Sequence, residues 1–169
     1  MSNIFKKAAQ RAKNFIKDTK KTLRTTKSTI IKDFKRKYTG KKQAKNFLPG
    51  TMLSFHYDAI DSDKKFDKAP LVICLGLSRD NKKHFLGLNL NWMPQSKRVL
   101  LASLVTEMLE KKKGRLVYED VKPLIKKFEG SPILRRYAIR RVSSKIIQMP
   151  TDVFLSAARF TGPDFNQKS

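Results

Sequence analysis

Leu71-Val72-Ile73-Cys74-Leu75-Gly76-Leu77, the polar step Ser78-Arg79-Asp80-Asn81-Lys82-Lys83, and Phe85-Leu86-Gly87-Leu88-Asn89-Leu90-Asn91-Trp92-Met93-Pro94 decide the fold class. The first run is continuously apolar over a strand's length, which predicts a strand covered on both faces. The last puts Leu86, Leu88, Leu90 and Trp92 on one side and Gly87, Asn89 and Asn91 on the other, the period of a strand. A short turn between them predicts an antiparallel pair. Trp92 ends the apolar side and is expected in the core. Asn89 and Asn91 are expected to pin the strand where it meets the helix after Pro94.

Working outward, Pro49-Gly50 opens a third strand, in which Leu53, Phe55 and Tyr57 alternate with Met52, Ser54 and His56 as on a half-buried edge. Asp61-Ser62-Asp63-Lys64-Lys65 reads as a polar loop. On the other side, Val99, Leu100, Leu101, Leu104, Val105, Met108 and Leu109 predict a helix that ends at Lys111-Lys112-Lys113-Gly114. Tyr118, Val121, Leu124, Ile125 and Phe128 predict a second, with Glu119 and Asp120 in its first turn and Gly130 beyond its end. Ser131-Pro132 looks like an N-cap with proline at the first helical position. The third helix it would start carries Arg135, Arg136, Arg140, Arg141 and Lys145. Ile146–Met149 is expected as a short strand returning to the sheet, Asp152 as the cap of a last turn, and Gly162 onward as a loose tail.

The fold class is thus α+β: a small antiparallel sheet or partly open barrel covered by about three helices, with a long basic N-terminal helical arm. Residues 1–46 form the arm and its linker, 47–160 the core domain and 161–169 a flexible tail.

The arm dominates the electrostatics. Residues 1–46 hold sixteen Lys or Arg against Asp18 and Asp33, in a chain whose formal net charge is +24. Phe5, Ala8, Ala12, Phe15, Thr19, Leu23, Thr26, Ile30 and Phe34 recur every three or four residues, a narrow apolar stripe on a helix over 2–38. Like-charge repulsion would fray such a helix in isolation, so order is expected when its stripe docks or its charge is neutralised. A cationic surface of this density suits a polyanion, because lysine and arginine displace the counterions of phosphates. The expected nucleic-acid-binding residues are Lys6, Lys7, Arg11, Lys13, Lys17, Lys20, Lys21, Arg24, Lys27, Lys35, Arg36 and Lys37. Arg136 and Arg140, one above the other on the third helix, are expected as a second contact. Nothing in the pattern supports reading of base sequence. The competing readings of the arm are a solvated charged helix, a helix lying on a membrane surface, and a helix docked into an acidic nucleoprotein or polymerase assembly.

Catalytic and metal chemistries find little support. Cys74 sits inside the apolar run and is expected to be a buried, inert thiol. His56 and His84 lack partners at zinc-ligand spacing. The acidic loop Asp58, Asp61, Asp63, Asp67 is interrupted by Lys64 and Lys65 and has no glycine turn or terminal glutamate for calcium. Ser54, His56 and Asp58 share one strand face, whereas a triad converges from several elements. No cofactor or metal is expected. A metal-dependent nuclease built on Asp58, Asp61 or Asp67 is the weakest of the functional alternatives. No secretory signal and no membrane-spanning run is visible.

Leu48-Pro49-Gly50, Phe55-His56-Tyr57, Phe66-Asp67-Lys68-Ala69-Pro70-Leu71 and above all Phe85–Pro94 resemble a family of small basic proteins of T4-like tailed bacteriophages. Members carry a similar "YD…PL" segment followed by "FLGLNLHYLP", and some are described as DNA end protectors. The resemblance covers roughly residues 47–150 and departs from the pattern at Asn91-Trp92-Met93, where the family has His-Tyr-Leu. It implies a viral protein in a setting of packaged or replicating DNA, and it carries over no catalytic residue. The expected function is therefore a non-enzymatic phage protein that binds nucleic acid, duplex DNA first, in a virion, packaging or replication complex. It would reside in the virion or the cytoplasm of the infected host cell. Other phage or host proteins of a nucleoprotein assembly are the alternative partners, with the protein then a structural or regulatory subunit.

Overall fold

The computed structural model of the protein describes residues 2–21, 47–58, 67–144 and 146–163. Five strands make one antiparallel sheet: β1 (Met52–Ser54), β2 (Leu71–Leu77), β3 (His84–Asn89), β4 (Leu134–Ala138) and β5 (Ile147–Met149), in the order β4-β3-β2-β1-β5. β2 is central and buried on both faces, as its unbroken apolar run requires. Its register with β3 slips between Cys74 and Gly76. Gly76 takes up that bulge at φ +105, a conformation a side chain would strain. The sheet stays open. Beyond the strand ends, an isolated bridge joins Tyr57 to Val142. The barrel alternative therefore fails, because the outer strands β4 and β5 do not pair with each other.

Each sheet face has its own core. Against one face pack α1 (Ser2–Lys21), α2 (Gln95–Lys111), α3 (Tyr118–Phe128) and the short α4 (Phe154–Ala157). Met52, Leu71, Ile73, Leu88 and Leu90 meet Val99, Ala102, Val105, Val121 and Phe154 there, all essentially inaccessible. Burying a side chain of this size contributes about 1.5–3 kcal/mol, so this layer dominates the folding free energy. The opposite face holds Leu53, Phe55, Val72, Cys74, Phe85 and Tyr137. Phe55, Phe85 and Tyr137 pack with centroids 5.1–5.7 Å apart, and Phe47 stacks on Phe85 at 4.4 Å. Burial pushes the Cys74 thiol up to about 12, the inert thiol expected.

Several expectations need correction. β1 is buried on both faces, not half-buried, because Met52 enters the helical core and Leu53 the aromatic one. The third helix does not exist: Leu134–Ala138 is a strand, followed by a 3-10 turn at Ile139–Arg141. Ser131 does bond forward, its carbonyl accepting from Leu134 N–H at 3.1 Å, but it closes a turn into the sheet. Pairing of Tyr137 with Phe85 and of Leu134 with Leu88 outweighs the helical signal. β3 ends at Asn89, and a 3-10 turn over Leu90–Trp92 swings Trp92 outward to 36% exposure. Asp152 lies in the 3-10 turn before α4 and caps nothing with its side chain. Gly162 is packed: its N–H donates to Asn91 Oδ1 at 3.0 Å, and a Cβ there would sit 1.6 Å from the Ala69 carbonyl oxygen. No described helix is long and apolar enough to cross a membrane.

Candidate nucleic-acid interface

α1 is held to the domain by its small residues. Ala8 and Ala12 are buried against α2, close enough for Ser103 Oγ to donate to the Ala8 carbonyl at 2.9 Å. Beside them the Arg11 guanidinium bridges Glu107 and Glu110 of α2, both at 3.1 Å. Phe15 and Ile16 continue the contact half-buried. The first half of the expected arm is thus built into the helical layer.

This docking sorts the predicted contact residues. Lys6, Lys13 and Lys17 are exposed. At ~100° per residue they share the side of α1 opposite Ala8 and Ala12. Lys6 to Lys17 spans about 16 Å at ~1.5 Å per residue, enough to face several phosphates of one duplex strand at ~3.4 Å of axis each. Lys7 is exposed nearer the Arg11 edge. Arg11 itself is occupied by its two glutamates. Lys20 and Lys21 belong to the last turn of α1. Arg24, Lys27, Lys35, Arg36 and Lys37 lie outside the described residues.

Arg136 and Arg140 do not stack on one helix. Arg136, on β4, pairs with Asp80 at 2.9 Å. Ser78 donates to the same carboxylate, and that bond first, with Arg136 adding to it, holds Asp80 below its ordinary pKa. Arg140 is exposed on the 3-10 turn that follows. Other cations are similarly engaged: Arg79 lies 2.7 Å from Glu119 and over the Tyr118 ring, and Lys112 2.9 Å from Asp120.

The Phe85–Pro94 block does its work internally. Asn89 and Asn91 both donate to Asp67 Oδ2, at 3.0 and 2.6 Å, and Asn91 also donates to the Ala69 carbonyl at 3.0 Å. Asp67 Oδ1 accepts from Ala69 N–H at 3.1 Å. The asparagines therefore pin the loop before β2 and the chain at Gly162. Asp67, one of the candidate metal carboxylates, is consumed by this knot. Asp61 and Asp63 lie outside the described residues, and among those described no group of three or more His, Cys, Asp or Glu is placed to hold a metal ion.

A family model, the phage T4 terminal DNA protecting protein, matches residues 1–152. The chain belongs to this family. No curated protein and no solved structure matches it. The match to the terminal DNA protecting family begins at residue 1, so it takes in α1 and the whole basic arm as well as the block that carried the resemblance. It ends as the chain leaves β5, before α4. The matched span thus includes α1 and all five strands.

Two groupings escaped the sequence reading. Glu107 and Glu110 sit three apart on α2, on one side of that helix, and that spacing was a usable signal for a cationic partner helix. The other is Arg135, whose guanidinium lies 5.2 Å over the exposed Trp92 ring. It joins β4 to the turn after β3, and nothing local in the sequence pairs the two.

Proposed function

We propose that the protein binds the ends of duplex DNA through their phosphates and shields them from degradation, catalysing no reaction itself. The setting is the phage particle or a packaging or replication complex in the infected cell. The observation that carries this reading is the row Lys6, Lys13, Lys17 on a helix whose other side is fixed to the domain. A cationic row on an already folded helix pays no backbone ordering entropy when it meets phosphates, only that of its side chains, and its contacts are blind to base sequence. Membership of a family named for protecting DNA termini is what favours ends over duplex in general. The chain's remaining basic residues, including those of 22–46 read from the sequence, would add affinity in the same way.

The membrane-surface reading of the arm finds less support, since Ala8 and Ala12 are buried against protein and Phe15 and Ile16 are half-buried against it. The test is protection of a blunt linear duplex from a processive exonuclease, with a covalently closed circle as competitor. End shielding predicts slower degradation that excess circle does not relieve. Equal relief by circle and by linear competitor would reduce the activity to general duplex binding, and an unprotected linear duplex would contradict the proposal.

A further inference from the structure

Away from the lysine row, α1, α2 and α3 leave an apolar groove that the other described residues do not fill. One stretch, about 300 Å³, is lined by Phe5, Met93, Leu100, Leu101, Leu124 and Phe128; a second, about 140 Å³, continues past Ile4, Met108 and Leu116. Phe5 stands between them. Phe5 and Leu100 are 41% and 43% exposed, unusual for large apolar side chains on neighbouring helices. The rim is cationic: Lys97, Lys111, Lys112 and Lys127 surround it, and its one carboxylate, Asp120, is paired with Lys112. Lys127 also lies over Phe5 at 5.4 Å. Lys97 and Lys111 bracket about 21 Å of α2 at ~1.5 Å per residue, the length of some four helical turns.

We propose that this groove docks an acidic amphipathic helix of a partner protein. An apolar floor asks for leucine-like anchors at i, i+3, i+4 and i+7, and a lysine rim asks for carboxylates flanking them. The charge argues against self-occupancy. A second copy of a +24 chain would bring its own cations to this rim, and residues 22–46 of the same chain hold nine Lys or Arg against Asp33 alone. The surface is separate from Lys13 and Lys17, so such a partner could be held while DNA is bound.

The probe is a fluorescein-labelled synthetic peptide of about five helical turns, with Leu on one face and Glu on the others. Its control has the same composition scrambled so that no face is apolar. Anisotropy is read for the full chain and for Leu100→Ser, Phe5→Ala and the pair Lys97→Glu/Lys127→Glu, with thermal melts confirming that each folds. The groove predicts binding of the amphipathic peptide roughly tenfold tighter than its scramble, with a comparable loss in each variant. Equal binding of both peptides, or binding untouched by all three variants, would show only attraction to a basic protein and overturn the proposal. No binding of either peptide would also overturn it. So would stronger binding to anionic phosphatidylglycerol vesicles that Leu100→Ser and Phe5→Ala abolish, which would assign the groove to lipid.

Discussion

The two sides of α1 put the same residue class to different uses. Facing α2, Ala8 and Ala12 are buried and Arg11 is clasped by Glu107 and Glu110. Facing outward, Lys6, Lys13 and Lys17 stand in solvent. Net charge counts all of these alike, yet a guanidinium already paired to two carboxylates offers little to a phosphate. What a basic protein can bring to a polyanion is its cations less those its own carboxylates hold, here Arg11, Arg79, Lys112, Lys122 and Arg136 among the described residues.

The harshest way to break that contrast is Ala8→Glu. An unpaired carboxylate in the α1–α2 contact should cost more than about 3 kcal/mol, read as a lower midpoint in urea unfolding. A loss below about 1 kcal/mol would mean that α1 is not docked as described. Arg11→Ala is gentler. It leaves Glu107 and Glu110 facing each other and should cost about 1 kcal/mol, since the pairs are partly solvent-screened. Adding Glu107→Gln should restore part of it, and strict additivity in that double-mutant cycle would deny the pairing. The smallest effect concerns another held cation, Lys112. Hydrogen bonding to Val117 N–H first, and then Lys112, lowers the Asp120 pKa. A depressed carboxylate stabilises the fold above its unfolded value, about 3.9, and that contribution is lost as pH falls through the folded value. Asp120→Asn should therefore flatten the fall of melting temperature below about pH 4 and leave Lys112 without its anion. Parallel wild-type and variant curves across that range would count against the pairing.

How much of this was legible depended on whether the decisive contacts were local. β2, α2 and α3 were readable because each carries its signal in one run: seven apolar residues, a helical period with Gly114 beyond it, and acids in a first turn. β5 was readable as a return strand. β4 was not, since its two arginines, suited to a charged sheet edge, masked the period-two pattern and its partner β3 lies some fifty residues away. Trp92 was misplaced because one 3-10 turn reverses which way a side chain points. The site divides in the same manner. Exposure of Lys6, Lys13 and Lys17 follows from the helical period alone, whereas the capture of Arg11 needs α2 beside it, about a hundred residues on.

The central claim is that the outer row of α1 binds phosphate while the inner cation does not. Deleting residues 1–46 cannot test it, because Ala8 and Ala12 would leave the core with them. The direct measurement is the salt dependence of binding to a blunt linear duplex and to the same sequence as a closed circle. It compares wild type with Lys6→Gln/Lys13→Gln/Lys17→Gln and with Arg11→Gln. Each neutralised phosphate contact contributes about 0.9 to the slope of log K against log salt, so the triple variant should lower its magnitude by roughly 3. Arg11→Gln should leave the slope nearly unchanged, and wild type should prefer the linear form. A triple variant with the wild-type slope, or an Arg11 variant that loses as much, would contradict the account.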